Sequence, residues 1–114
     1  MPCSCKKLDE PRTHENYTER AAILKALAHP TRLFIVDVLN EGEKCVCELT
    51  ELIGADVSTV SKHLAVLRNS GLVVDEKRGL NVYYRIKMPC VMNFLGCVED
   101  VIKTRAEFIK KIAE

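Results

Sequence analysis

Apolar residues return at helical intervals over most of this chain, and the one stretch that alternates is short and late. From Asn16 to His29 the positions Ala21, Leu24, Leu27 and Ala28 predict an amphipathic helix. His29-Pro30-Thr31 ends it and begins a second, since proline is tolerated only near a helix start. The second helix carries Leu33, Ile35, Val36 and Leu39 and stops at Asn40-Glu41-Gly42, where glycine suits a left-handed cap. A short third helix covers about Val46 to Ile53 and ends at Gly54. After the tight turn Ala55-Asp56-Val57, a fourth runs from about Ser58 to Asn69 and is stopped by Gly71.

Leu72 to Lys77 then reads as a strand, Arg78-Gly79-Leu80-Asn81 as a turn and Val82 to Ile86 as a returning strand. Pro89 opens a long last helix with Val91, Phe94, Val98, Val101, Ile102, Ile109 and Ile112 on one stripe. The predicted fold is mainly α with a β-hairpin, in the order α-α-α-α-β-β-α. Residues 1–14 hold two prolines and no periodicity and read as a flexible N-terminal arm; residues 15–114 read as one domain. The last stripe exceeds what so small a domain can cover. A second copy is the expected partner, giving a two-fold homodimer through the first and last helices.

Helix, tight turn, helix and hairpin in succession describe the winged helix-turn-helix, whose second helix enters the major groove of double-stranded DNA. At about 100° per residue, Val60, Leu64 and Leu67 fall on one side of the fourth helix, with Val57 just ahead of them. The other side presents Ser58, Thr59, Lys62 and Asn69, flanked by Ser61 and His63. These side chains can reach base edges and phosphates. An outer face that is polar only because it meets water is the plainer alternative. Charge argues against it. The chain carries a net +1, yet Ala55 to Lys87 holds six basic residues (Lys62, Arg68, Lys77, Arg78, Arg85, Lys87) against Asp56, Asp75 and Glu76. The expected DNA contacts are Ser58, Thr59, Ser61, Lys62, His63 and Arg68, with Lys77 and Arg78 from the hairpin, to whose basic charge Arg85 adds. Lys62 is expected to contribute most.

Six cysteines fall in three groups: Cys3 and Cys5, Cys45 and Cys47, Cys90 and Cys97. No apolar run is long enough to span a bilayer, and no apolar stretch follows the N-terminal lysines as in a secretory signal. The expected compartment is therefore the cytoplasm, where metal binding or redox sensing is a better reading of cysteines than a disulfide framework. Thiolates are soft ligands suited to zinc, cadmium and lead, and to trivalent arsenic and antimony. Cys45 and Cys47 stand at the start of the third helix, which favours the thiolate form that ligation needs. Residues two apart on a regular helix point about 200° apart, so the two sulfurs are expected to share an ion only by bending the first turn. Cys90 and Cys97 lie about 10 Å apart along the last helix, too far for one ion or one disulfide.

Several stretches together resemble the ArsR/SmtB family: Leu27-Ala28-His29-Pro30-Thr31-Arg32-Leu33, Cys45-Val46-Cys47-Glu48-Leu49, Val57 to Leu64 with Leu67, Ser70-Gly71-Leu72-Val73, and the wing from Lys77 to Arg85. The likeness spans roughly residues 20–87. It implies a homodimeric repressor that leaves its operator DNA when an inducer binds. It also implies that Cys45 and Cys47 form part of an arsenic(III)/antimony(III) site or of a cadmium/lead site. Thr50 stands where one arsenic pattern has a third cysteine, so the remaining ligand must come from elsewhere. Cys3 and Cys5 on the arm resemble the arm ligands of cadmium/lead repressors, and Cys90 and Cys97 are the other source. The last helix offers Glu99, Asp100, Lys103 and Glu107 but no histidine, so the family's zinc site on that helix is expected to be absent.

Three rivals complete the picture. A redox or persulfide sensor of the same fold keeps the DNA-binding reading and replaces the metal. A thiol oxidoreductase lacks support, since there is no Cys-x-x-Cys, no Gly-rich phosphate loop and no nucleophile–base–acid set. A structural zinc module would unfold without metal, whereas the apolar content argues for a fold that stands by itself.

Overall fold

The computed structural model describes residues 12–113, in two units, one ending at Met88 and the other beginning at Pro89. The first unit contains α1 (His14–Leu27), α2 (Pro30–Asn40), β1 (Lys44–Cys45), α3 (Val46–Ile53), α4 (Val57–Asn69), β2 (Val73–Arg78) and β3 (Asn81–Ile86). The second contains α5 (Val91–Ala113). No described helix is long and apolar enough to cross a membrane. The expected arm, with Cys3 and Cys5, lies almost entirely outside the described residues.

The helices begin and end where side chains can satisfy their free backbone groups. Thr13 caps α1 by accepting from the Asn16 N–H at 3.3 Å. His29 caps α2 through Nδ1, which accepts from the Thr31 N–H at 3.1 Å, and Pro30 occupies the first helical position. Gly54 ends α3 at φ 77°, with its N–H donating to the Thr50 carbonyl at 2.9 Å. That left-handed residue makes the sharp turn into α4.

One core joins these elements. Ile35, Val36 and Leu39 of α2, Leu49 of α3, and Val60, Leu64 and Leu67 of α4 are all 3% exposed or less. Ala26 and Leu27 of α1, with Leu72, Val73, Tyr84 and Cys45, close it. Each large side chain removed from water stabilises by about 1.5–3 kcal/mol, so α4 is held firmly by its inner face.

The sheet differs from the sequence expectation by one strand. The predicted hairpin is present, with β2 and β3 antiparallel in register from Val73 opposite Ile86 to Arg78 opposite Asn81. Its turn is Gly79-Leu80, with Gly79 at φ 63° and no described non-glycine residue at positive φ, the type II′ pattern. In addition, Lys44 pairs with Tyr84 and Cys45 with Tyr83, so that the order across the sheet is β1-β3-β2. A two-residue strand is too short to show alternation, and only its partner defines it.

In the second unit, α5 buries none of its residues. Phe94, Val98, Val101, Ile102, Phe108, Ile109 and Ile112 are 41–70% exposed.

Candidate nucleic-acid interface and thiol pair

α4 turns Val60, Leu64 and Leu67 inward, each fully buried. Its remaining side chains divide by what already holds them. Asp56, the N-cap residue, makes no side-chain bond to the helix backbone. Its carboxylate instead accepts from the hydroxyl of Ser58 and, at 2.5 Å, from that of Thr59. Those two hydrogen bonds hold the Asp56 carboxyl below its ordinary value of 3.8. Ser61 and Lys62 are exposed, and Lys62 makes no ion pair among the described residues. Arg68 bonds Asp75 on β2 at 3.2 Å.

His63 is half-buried. Its ring lies against that of His29, with centroids 4.4 Å apart and planes at 44°. Burial, then the charges of His29 and Arg32, hold its pKa below the ordinary 6.5. The side chain therefore links α4 to the cap of α2 more than it reaches outward. The hairpin cations divide similarly. Arg78 is gripped by Glu43 and Glu76, while Lys77 and Arg85 are exposed and make no ion pair among the described residues. Of the residues expected to meet DNA, then, Ser61, Lys62 and Lys77 have no side-chain partner among the described residues, and Ser58, Thr59, His63, Arg68 and Arg78 already have partners within the protein.

The thiol pair corrects the expectation of a distorted helix. Cys45 is the N-cap of α3, with extended backbone at φ −80° and ψ 161°, and does not belong to the helix. The 200° separation holds only between two helical residues. Here the Cα atoms are 5.4 Å apart and the sulfurs meet as a disulfide, with α3 regular from Val46 onward. Convergence of the two sulfurs requires no bending. Cys45 is 4% exposed, whereas Cys47 is open to solvent.

The Cys45 sulfur also works as a cap. It accepts from the Glu48 N–H at 3.4 Å, and Glu48 Oε1 accepts from the Cys45 N–H at 3.3 Å, a reciprocal capping box. Thr50 uses its hydroxyl to bond the Val46 carbonyl at 2.7 Å. Cys90, just ahead of α5, and Cys97 within it are free and exposed. Among the described residues no three His, Cys, Asp or Glu side chains gather closely enough to hold a metal ion.

Three participants escaped sequence reasoning. Glu43 pairs with Arg78 across 35 residues, a contact that no local pattern announces. Glu48 sits three residues after Cys45, the spacing of a capping box, but cysteine is not among the usual capping residues. His29 could have been read as a cap from its place before Pro30.

Comparison with known proteins gives a consistent result. Residues 29–74 match the family described as bacterial regulatory protein, arsR family. The chain is 48% identical over 65 residues to the arsenical resistance operon repressor of Escherichia coli (strain K12), covering 56% of each chain. It is 34% identical over 91 residues to the nodulation protein NolR of Rhizobium meliloti, covering 80% of this chain and 75% of that one. Among solved structures, it is similar to a homodimeric winged helix-turn-helix DNA-binding domain from Mycobacterium bovis, described as a possible ArsR-family transcriptional regulator. That likeness has a TM-score of 0.72 at 31% identity and covers 86% of this chain and 91% of the other.

Proposed function

Because the chain belongs to the arsR family of bacterial regulatory proteins, we propose that it is a homodimeric repressor that releases operator DNA when a thiophilic ion binds Cys45 and Cys47. The observation that carries this reading is the convergence of the two sulfurs at the cap of α3, the helix that leads through Gly54 into α4. Two soft donors fit a thiophilic ion. The donor set is incomplete at two, and Cys3 and Cys5, outside the described residues, or Cys90 and Cys97 would complete it.

The sulfur cap explains how binding is felt. An ion on the Cys45 thiolate would draw on the electron density that the Glu48 N–H now shares. An ion therefore competes with the capping of α3, and loss of a cap costs a helix about 1 kcal/mol. A ligand that prefers the uncapped form shifts the protein away from the arrangement that holds α4 in place. Exposed Cys47 receives the ion first and buried Cys45 transmits it. Trivalent arsenic or antimony is the favoured inducer, in keeping with the arsenical resistance relative; cadmium, lead or zinc joined by the arm cysteines is the alternative. Ser58, Thr59, Ser61, Lys62, His63, Arg68, Lys77 and Arg78 form the DNA-facing set. Lys62 is its principal cation, and the partnered side chains meet DNA only by giving up protein contacts, which are most numerous at Arg78. The uncovered stripe of α5 and the exposed Tyr17, Ile23 and Leu24 of α1 support pairing with a second copy.

A second reading has its own observation. The Cys45–Cys47 disulfide favours a redox sensor, in which an oxidant such as a peroxide takes two electrons and two protons from the thiols. One titration separates the readings. The reduced protein, bound to a duplex recovered by selection from random sequence, is challenged with arsenite, antimonite, cadmium, lead, zinc, peroxide or polysulfide. Arsenite release that disappears in Cys45→Ser supports the metalloid reading. Release by peroxide or polysulfide alone transfers the function to oxidation, and release by none of them ends both.

A further inference from the structure

The hairpin cation nearest its turn, Arg78, is enclosed. Its Nη1 donates to Glu43 Oε1 at 2.6 Å, and its Nη2 donates to Glu43 Oε2 at 3.0 Å and to Glu76 Oε2 at 2.8 Å. The guanidinium carbon also stands 4.8 Å from the centre of the Tyr83 ring. A bidentate carboxylate, a second carboxylate and an aromatic face use the planar fork almost fully. Lys77 and Arg85 beside it have no such partners among the described residues.

Stability is a poor reason for this cluster, because its side chains are 40–59% exposed and exposed pairs contribute little. Its electrostatic effect is larger. Two carboxylates around one guanidinium give this cluster a net charge of −1 and cancel the cation that Arg78 would otherwise add to the hairpin, the element that in a winged helix-turn-helix lies beside the DNA backbone. Glu76 lies on the strand read from sequence, but Glu43 does not: it comes from the segment entering β1, two residues before Cys45.

We propose that Glu43 and Glu76 hold Arg78 away from DNA phosphate and thereby act as a built-in brake on operator affinity, with Glu43 as its principal arm. The inference rests on the DNA-binding reading above and adds to it two acidic residues that lower affinity. Each cation that gains a phosphate steepens the fall of log affinity with log salt by about 0.9.

The test uses the full-length reduced protein and the selected duplex, with binding followed by fluorescence anisotropy across a series of potassium chloride concentrations. The variants are Glu43→Gln/Glu76→Gln, Arg78→Gln and the triple combination. The double variant is expected to bind more tightly and to show a salt slope steeper by about 0.9 per chain. Arg78→Gln is expected to cost affinity and slope in the Glu43→Gln/Glu76→Gln background well beyond its cost in the native one. The brake is overturned if the gain survives in the triple variant, for then two removed negative charges act at long range without Arg78. Equal loss from Arg78→Gln in both backgrounds overturns it too, because Arg78 would already be on phosphate. If the double variant melts below the native protein, single Glu43→Gln carries the same comparison. Native protein that selects and binds no duplex fails the repressor reading itself, a result distinct from binding without a change in slope.

Discussion

The two helices of the helix-turn-helix begin in opposite ways. α3 starts at Cys45, which is 4% exposed, paired to Tyr83 in the sheet and bonded to Glu48 in a closed box. α4 starts at Asp56, which is exposed and spends its carboxylate on the hydroxyls of Ser58 and Thr59 rather than on the backbone. One start is sequestered and made of sulfur, suited to a chemical signal. The other is open and made of exchangeable oxygen contacts around an ionised carboxylate. Neighbouring helix starts in one motif can thus differ completely in burial and in the chemistry that closes them.

The contrast can be broken at its foundation. Leu64 is fully buried beneath α4, and Leu64→Ala is expected to cost about 2–5 kcal/mol, read from urea denaturation. A loss below that range would mean that α4 is held by its polar ends and not by its inner face. Smaller and more selective is the pair Cys45→Ser and Cys45→Ala. Serine keeps an acceptor for the Glu48 N–H, so stability should stay close to native while the response to arsenite disappears. Alanine should lose the response and also about 1 kcal/mol. Equal stability of the two variants would show that the sulfur cap is not holding α3.

The smallest effect concerns pH. His63 has its folded pKa lowered beneath 6.5, so on acidification the unfolded chain takes up a proton that the folded chain resists. The stability associated with neutral His63 is present above 6.5 and is lost as pH falls through the lower folded value. The Tm should therefore decline between about pH 7.5 and 5.5, and the decline should flatten in His63→Gln. Asp56 and Glu43, whose ordinary values are 3.8 and 4.5, add their own losses only in more acid solution. A decline that persists unchanged in His63→Gln would remove this histidine as its source.

The sequence carried α2, α3 and α4 well because each has an apolar face, with clear stop signals at Gly54 and Gly71, whereas the stripe read in α1 is buried only at Leu27, with Ala21, Leu24 and Ala28 exposed. It could not carry β1, which is defined by pairing with Tyr83 and Tyr84 and by nothing in its own two residues. The thiol pair was legible as a candidate, but its geometry was misjudged, since a helical projection assumes that both residues lie inside the helix. Charge was legible only as a sum. The six basic residues between 55 and 87 counted alike, yet Arg68 and Arg78 are bound to carboxylates while Lys62, Lys77 and Arg85 make no ion pair among the described residues. Partnership across 35 residues is a property of the fold.

The sheet order β1-β3-β2 leaves two outer edges. One is only two residues long, and the other runs through Asp75-Glu76-Lys77-Arg78, charged at every position. An unpaired strand edge is a template for further strands, and short length and charge are what blunt it. The residues proposed to negotiate with phosphate thus perform a second service. Their charges blunt this edge against pairing with a strand of another copy.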